Sequence, residues 1–198
     1  MTLNTGDWTI TTVEAGSGSA SEALDDAVGG VLKITNDDAD DDSDQFQKVG
    51  EAFKLASGKP LYFEMRFKVS DATQSDVLVG LCITDTTLIA GVSDGVYFRS
   101  DDGDANLDFV TEKNTTETAA DTGVDLSDDT WIAVGFYFDG AGQVTPFVGT
   151  DPGDLTPYTA HTTNVPDDEE LTPSFSIQNG EAAAKTMYVG YIRVIQKR

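Results

Sequence analysis

Short apolar runs, several of them alternating with polar residues, recur along almost the whole chain. In residues 61–70 the odd-numbered positions are Leu, Phe, Met, Phe and Val, whereas the even-numbered positions are Tyr, Glu, Arg, Lys and Ser. A period of two places alternate side chains on opposite faces of a strand. This segment is therefore predicted to be a half-buried strand, with one face in a core and the other in water.

Residues 130–150, TWIAVGFYFDGAGQVTPFVGT, predict a β-hairpin. Every residue from 131 to 138 is apolar or glycine, which is typical of a central strand covered on both faces. Residues 139–142, DGAG, supply the positive φ angles of a tight turn, and residues 143–148 form the returning strand. Pro146 removes a backbone donor from that strand, which predicts an edge position or a β-bulge.

The spacing of these runs predicts an all-β protein with an antiparallel β-sandwich or barrel. The strand-like runs cover residues 8–13, 31–35, 46–56, 61–70, 77–84, 95–100, 107–112, 131–138, 143–148, 174–178 and 186–196, the last as a central strand. Residues 19–27 and 181–185 are too short for independent helices and are predicted to be turns or single helical turns. The polar residues 111–126 are predicted to form a loop or an arm that becomes ordered on a partner.

A chain of 198 residues can form one domain with a sizeable core. Residues 1–43 are expected to form an irregular N-terminal segment that contains strands and an acidic loop. This segment is either part of the sandwich or appended to it. Residues 44–198 are expected to form the sandwich itself.

The charge balance limits the partners of the protein. Thirty-five acidic residues face 12 basic ones, so the formal net charge is −23. Nucleic acids and anionic membranes need a basic surface, so neither is an expected direct partner. No run approaches the roughly 20 apolar residues that span a bilayer, and the N-terminus lacks the pattern of a secretory signal.

The order of the runs resembles the concanavalin A-like (laminin-G-like) jelly roll. The likeness extends over about residues 44–198 and includes PLYFEMRFKVSD, the Trp131 hairpin and the closing strand. A narrower likeness, in KPLYFE at residues 59–64 and GYIRVIQKR at residues 190–198, is to a group of tailed-phage virion proteins. This fold alone does not define a function.

The resemblance implies a non-enzymatic capsid decoration or cement protein on the outer surface of a phage capsid. Its partners would be the major capsid protein and copies of itself, with a trimer expected. The alternative is a carbohydrate-binding, lectin-like module or adhesin domain, in which exposed aromatic residues such as Tyr97 and Tyr158 stack on a glycan.

The sequence contains none of the catalytic motifs that this fold class or common hydrolases use, and we therefore predict that the chain is not an enzyme. A laminarinase-type hydrolase places carboxylates as Glu-x-Asp-x-x-Glu on one strand, and no such run occurs. The single histidine, His161, and the single cysteine, Cys82, build neither a hydrolase triad nor a zinc site. Cys82 lies within a strand-like run, where a buried apolar role is expected. Glu64 is expected to balance Arg66 and Lys68 on an outer strand face.

Two acidic loops are the candidate calcium sites, and no other cofactor is expected. Asp38, Asp40, Asp42 and Asp44 fall at alternate positions in the first loop. Asp101, Asp102, Asp104 and Asp108 surround a glycine in the second. Carboxylate oxygens are ligands that Ca²⁺ prefers. The spacing is not that of an EF-hand, so solvated acidic loops are favoured over calcium sites.

Overall fold

The computed structural model describes residues 5–27 and 29–198 and is an antiparallel β-sandwich, as the sequence predicts. Residues 1–4 and 28 of the predicted N-terminal region lie outside the described residues. Helical structure in the described part is limited to a 3-10 turn at Thr5–Asp7 and a single α-helical turn, α1, at Leu88–Gly91. None of the described helices has the length and apolar character needed to cross a membrane.

Each of the two sheets contains seven strands. Sheet A has the order β1-β4-β13-β6-β7-β8-β9, with β1 (Trp8–Val13), β4 (Ser43–Lys48), β13 (Thr172–Asn179), β6 (Ser75–Cys82), β7 (Gly95–Ser100), β8 (Asn106–Lys113) and β9 (Thr116–Asp125). Sheet B has the order β12-β11-β10-β5-β14-β3-β2, with β12 (Thr156–Pro157), β11 (Val144–Gly149), β10 (Ile132–Phe138), β5 (Leu61–Val69), β14 (Thr186–Gln196), β3 (Val31–Thr35) and β2 (Ser21–Asp25).

The core lies between the two sheets and is rich in phenylalanine. Within sheet A, Phe46 and Phe175 stack with ring centroids 4.9 Å apart, and within sheet B, Phe63 and Phe136 stack at 5.0 Å. The ring of Phe109 from β8 lies 6.1 Å from that of Phe136, which joins the sheets. Aromatic pairs at these distances add to the stabilisation that burial provides.

The predicted hairpin is present, and β10 is central between β5 and β11. The prediction that both of its faces are covered is correct only in part, since Ala133 and Gly135 are buried on the outer face but Tyr137 is 40% exposed. Pro146 lies in β11, one strand in from the edge of sheet B. The Pro146 carbonyl accepts a hydrogen bond from the Tyr158 N–H on the side of β12. The N–H that proline lacks would point to the same side, where β11 and β12 pair over only two residues.

The strand β14 is central between β5 and β3, as predicted. Two predictions about polar segments are wrong, because β2 lies within the stretch predicted to be a turn and β9 within the stretch predicted to be a loop. Both are strands at the edge of a sheet. Their backbone pairing with β3 and β8 holds them in place, and it requires no alternation of apolar side chains.

Candidate functional site

A groove runs along one rim of the sandwich, where the end of β9 and the residues after it approach β10, β11 and β12. Its volume is about 400 Å³. The side chains that give it chemical character are two aromatic residues, two carboxylates and several hydroxyl groups, namely Trp131, Tyr158, Asp125, Asp154, Thr150 and Thr156. Apolar residues from both sheets, among them Leu126 and Val148, form the rest of the wall.

Trp131 is held by the turn that precedes β10. In this turn the Thr130 N–H donates to the Ser127 carbonyl at 3.1 Å. The guanidinium carbon of Arg66 on β5 lies 4.3 Å from the centroid of the Trp131 ring, a cation–π contact, and Arg66 also pairs with Asp151 at 3.2 Å. The ring is half-buried. Its orientation is therefore fixed while part of it faces the groove.

Tyr158, which follows β12, is held by β11. Its N–H donates to the Pro146 carbonyl at 2.9 Å, and its ring packs against the core while the side chain stays half-buried. The groove thus presents an indole and a phenol from different elements of sheet B.

Asp154 supplies an ordered carboxylate beside these rings. The Thr150 hydroxyl donates to its Oδ2 at 2.7 Å and the Asp151 N–H donates to its Oδ1 at 2.8 Å, and these hydrogen bonds lower the pKa of Asp154. Gly149 makes this approach possible, because a Cβ at that position would lie 2.7 Å from the Asp154 Oδ1. The carboxylate is therefore an acceptor at neutral pH.

The outer face of sheet B carries a second polar cluster around Glu64, which is 1% exposed. Burial alone would raise the pKa of Glu64, but hydrogen bonds from Tyr191, Tyr62 and Arg193 lower it. Burial and the bond to Glu64 raise the pKa of Tyr62 to about 12. Glu64 lies on the same outer face as Arg66 and Lys68, as predicted, but its charge is balanced by Arg193 on β14. Arg66 and Lys68 pair instead with Asp151 and Asp129. The cluster ties β14 to β5.

The outer face of sheet A is covered by the segment between β6 and β7, residues 83–94, which contains α1. The Leu88 N–H donates to the Gln45 side chain at 2.9 Å, and the Asp85 N–H donates to that of Gln47 at 2.8 Å. Leu88 is buried in a small apolar cluster with Tyr97 and Cys82. We call residues 83–94 the covering segment.

The covering segment changes the roles predicted for two residues. Tyr97 is only 3% exposed and its hydroxyl donates to Glu112 at 2.7 Å, so the prediction that it stacks on a glycan is wrong. Cys82 is buried as predicted, and burial raises the pKa of its thiol. Tyr158 is the predicted aromatic residue that the structure places in a groove.

His161 lies among polar residues in the sequence, TAHTTN, but it is only 5% exposed. Its Nδ1 lies 3.0 Å from the Thr111 hydroxyl, and its ring packs 4.9 Å from that of Phe109. Burial lowers the pKa of the imidazole. His161 is therefore a neutral histidine with a structural role.

The two acidic loops differ in how their carboxylates are used. Asp38 and Asp40 are exposed, whereas Asp42 is buried and lies in a group with Glu14 and Asp37. One carboxylate oxygen from each of these three residues lies within 4.8 Å of the other two. Sequence reasoning missed Glu14 and Asp37. Glu14 follows β1 and reaches this loop only in the folded chain, so no spacing in the sequence could reveal it.

In the second loop the carboxylates serve separate local contacts. Asp101 pairs with Arg99 at 3.4 Å, and both oxygens of Asp104 accept hydrogen bonds from Asn106. The Asp102 N–H donates to Asp76 at 2.5 Å. Among the described residues, Asp101, Asp102 and Asp104 do not form a group that could hold a metal ion.

Comparison with known proteins gives one family match. Residues 28–191 match the model of the SO2946-like, C-terminal domain. The chain belongs to this family. The match contains both sheets' central strands and the groove residues, whereas β1 and β2 precede it. No curated protein sequence matches the chain.

Three solved structures illustrate the range of proteins that share the fold. A protein of unknown function from Shewanella oneidensis MR-1, SO2946, is 16% identical with a TM-score of 0.63, covering 99% of this chain and 82% of that one. A seed lectin of Lotus tetragonolobus is 10% identical with a TM-score of 0.59, covering 96% and 98%. A carbohydrate esterase of the Shiga toxin-encoding bacteriophage phi24B is 17% identical with a TM-score of 0.55, covering 98% and 91%.

These structures confirm a concanavalin A-like, lectin-like sandwich, and at such identities they show the fold alone. The prediction that the chain is not an enzyme is contradicted, because other solved structures with this fold are enzymes. They include the esterase, a β-1,3-glucanase and a glucuronan lyase. That prediction depended on the absence of Glu-x-Asp-x-x-Glu and of a usable histidine. A search for those motifs tests only a few of the mechanisms that this fold can carry.

Proposed function

We propose that this protein is a lectin-like, carbohydrate-binding module and that the groove between Trp131 and Tyr158 holds the sugar. The observation that carries the proposal is the combination of two fixed aromatic rings with an ionised, positioned carboxylate in one groove of about 400 Å³. Pockets of this size that combine apolar walls with a few polar groups are typical of small-ligand sites.

A sugar has the chemistry that such a groove can recognise. The C–H faces of a pyranose are apolar and pack on aromatic rings, while its hydroxyl groups donate and accept hydrogen bonds. Trp131 and Tyr158 supply the rings, and Asp154 accepts from a hydroxyl. The lectin and the carbohydrate-recognition domain among the structural neighbours support this assignment through their shared fold.

The test begins with a glycan array on the full chain, followed by calorimetric titration of the strongest binder. We expect Trp131→Ala and Tyr158→Ala each to weaken binding about tenfold or more, because each removes an aromatic stacking surface. Asp154→Asn should also weaken it, since the amide replaces an ionised acceptor. The bound oligosaccharide is also examined for cleavage, which would show that the groove acts on its ligand.

Tyr137→Ala is the matched control. Tyr137 is 40% exposed on the outer face of sheet B and does not line the groove. It should bind like the wild type. Binding that Trp131→Ala and Tyr158→Ala leave unchanged while their circular dichroism and melting match the wild type would exclude the groove as the site.

A second candidate is a capsid decoration protein on the outer surface of a phage virion, bound to the major capsid protein as a trimer. The resemblance of KPLYFE and GYIRVIQKR to tailed-phage virion proteins and the strongly acidic composition are the reasons for considering it. Mass spectrometry of purified particles should then find the chain in near-stoichiometric ratio to the coat protein. Its absence from particles would refute this candidate and leave the sugar groove unaffected.

A further inference from the structure

Three carboxylates meet where the loop after β1 crosses the loop between β3 and β4. Glu14 comes from the first loop, and Asp37 and Asp42 come from the second. Their ligand oxygens all lie within 4.8 Å of one another. None of the ion pairs between described residues involves any of the three. Like charges this close repel unless something neutralises them.

Backbone hydrogen bonds hold two of these carboxylates, those of Asp42 and Glu14, in position. The Ala15 N–H donates to the Asp42 Oδ1 at 2.6 Å and the Ala39 N–H donates to its Oδ2 at 3.0 Å. The Ala20 N–H donates to the Glu14 Oε1 at 2.8 Å. Each of these oxygens keeps a further lone pair for another partner. The arrangement is therefore fixed by the backbone of both loops.

Gly18 lets the two loops approach each other closely. A Cβ on Gly18 would lie 1.4 Å from the Asp37 Oδ2, so any side chain there would displace this carboxylate. The glycine thus leaves the Asp37 oxygen directly against the loop that carries Glu14.

Two buried carboxylate oxygens in this region, the Oδ2 of Asp44 and the Oε2 of Glu14, have no hydrogen-bond donor. Asp44, at 0% exposure, accepts a hydrogen bond from the Thr12 hydroxyl on its Oδ1 at 2.5 Å, but its Oδ2 is buried and unpaired. Burial raises the pKa of Asp44 to about 7 against the lowering effect of the Thr12 hydrogen bond, and the Glu22 and Glu14 carboxylates close to Asp44 raise it further. The Oε2 of Glu14 is also buried without a partner. Buried polar atoms are nearly always paired, so a missing partner is indicated.

We propose that Glu14, Asp37 and Asp42 bind a calcium ion. All the available donors are oxygens, which excludes the nitrogen and sulfur ligation that zinc favours. Ca²⁺ accepts 6–8 oxygen ligands in flexible geometry, whereas Mg²⁺ requires a near-ideal octahedron and retains its waters. The ion would join the loop after β1, in sheet A, to the loop after β3, in sheet B.

Titration of the full chain, stripped with EDTA and dialysed at pH 7.5, tests the proposal. Calorimetry with CaCl₂ should show one site, and MgCl₂ should bind at least tenfold more weakly. At about 100-fold excess over the dissociation constant, calcium should raise the melting midpoint by about 5–10 °C. Equal midpoints in CaCl₂ and in EDTA, with no heat of binding, would overturn it.

Glu14→Gln separates ligand loss from misfolding. The glutamine Oε1 still accepts from the Ala20 N–H, so the loop should keep its shape. In EDTA this variant should melt higher than the wild type because a repulsive charge is gone, whereas calcium should add little. A variant that melts lower in EDTA and still gains the full calcium shift would contradict a role for Glu14.

Asp40→Asn is the matched control, since Asp40 belongs to the same loop but is exposed and outside the group. It should retain both the affinity and the calcium-dependent shift. An equal loss of affinity in Asp40→Asn and Glu14→Gln would show diffuse attraction of cations to an acidic loop and would reject a defined site.

Discussion

Asp76 is a buried carboxyl on the outer face of sheet A, next to the acidic loop at residues 101–104. Its residue exposure is 9%, and its Oδ1 accepts from the Asp102 N–H at 2.5 Å. Burial raises the pKa of Asp76 to about 6. The nearby carboxylates of Asp102, Asp101 and Asp41 also raise it, whereas the hydrogen bond from the Asp102 N–H lowers it. The folded protein therefore holds this proton more tightly than the unfolded chain does.

The sign of the resulting pH dependence follows from linkage. Below about pH 4 the carboxyl is protonated in both states, and between pH 4 and 6 the unfolded chain releases the proton first. The contribution of Asp76 to stability is thus lost as pH rises through this window. Asp76→Asn keeps the acceptor for Asp102 and should be about 1–3 kcal/mol more stable than the wild type at pH 8.

Urea unfolding of both proteins from pH 3.5 to 8 measures this difference, which should vanish at the acidic end. Asp26→Asn, in the exposed loop after β2, is the control for the general effect of removing one negative charge. A difference between Asp76→Asn and the wild type that stays constant with pH would show that packing, and not ionisation, is the cause.

Residue type and spacing predict only some of the residues in the two candidate sites. Tyr158 and Asp42 were predicted as an aromatic contact and a calcium ligand, and the structure places them in the groove and the acidic group. Tyr97 was an equivalent prediction by residue type but is covered by Leu88. Glu14 and Trp131 join their sites through tertiary contacts, and residue type alone does not encode such contacts.

The covering segment is the element whose role is clearest from packing. Leu88, at 1% exposure, contacts an apolar patch on the outer face of sheet A that includes Leu78, Tyr97 and Val110. Truncating a buried leucine removes its transfer free energy and leaves a cavity. Leu88→Ala should therefore destabilise the protein by about 2–5 kcal/mol in urea unfolding.

Cys82 supplies a second readout of the same change, because it is the single cysteine and is buried in the Leu88 cluster. Its reaction with a thiol reagent under native conditions should be faster in Leu88→Ala, since the covering segment would open more often. Ile89→Ala, at a half-buried position of the same turn, should have smaller effects on both measurements. Equal effects would mean that the segment is not anchored by Leu88.

At the scale of elements, the sequence predicts strands well where side chains alternate and poorly where backbone pairing alone holds them. β5 and β14 alternate and agree closely with prediction. β2, all of whose residues are exposed, and β9, with one buried residue, carry no such pattern. Their positions depend on hydrogen bonds to β3 and β8, which form only after those strands are in place.

At the scale of the whole molecule, the dominant feature is the net charge of −23. Four basic residues, Lys33, Arg66, Lys68 and Arg193, are concentrated on the outer face of sheet B, where they make cation–π contacts with Trp131, Tyr188 and Tyr62. They leave the acidic loops at the sheet ends without equal compensation. Mutual repulsion of those loops should oppose the folded state.

Salt should therefore stabilise this protein. Raising NaCl from 10 to 150 mM at pH 7.5 in EDTA shortens the screening length from about 30 to about 8 Å. The long-range repulsion among acidic residues weakens more than the short ion pairs do, so the melting midpoint should rise by about 2–5 °C. The same series at pH 4.1, the isoelectric point expected from the sequence, should show a much smaller rise because the net charge is near zero. A midpoint that falls with salt at pH 7.5 would mean that ion pairs such as Arg66–Asp151 and Lys185–Asp71 outweigh the repulsion.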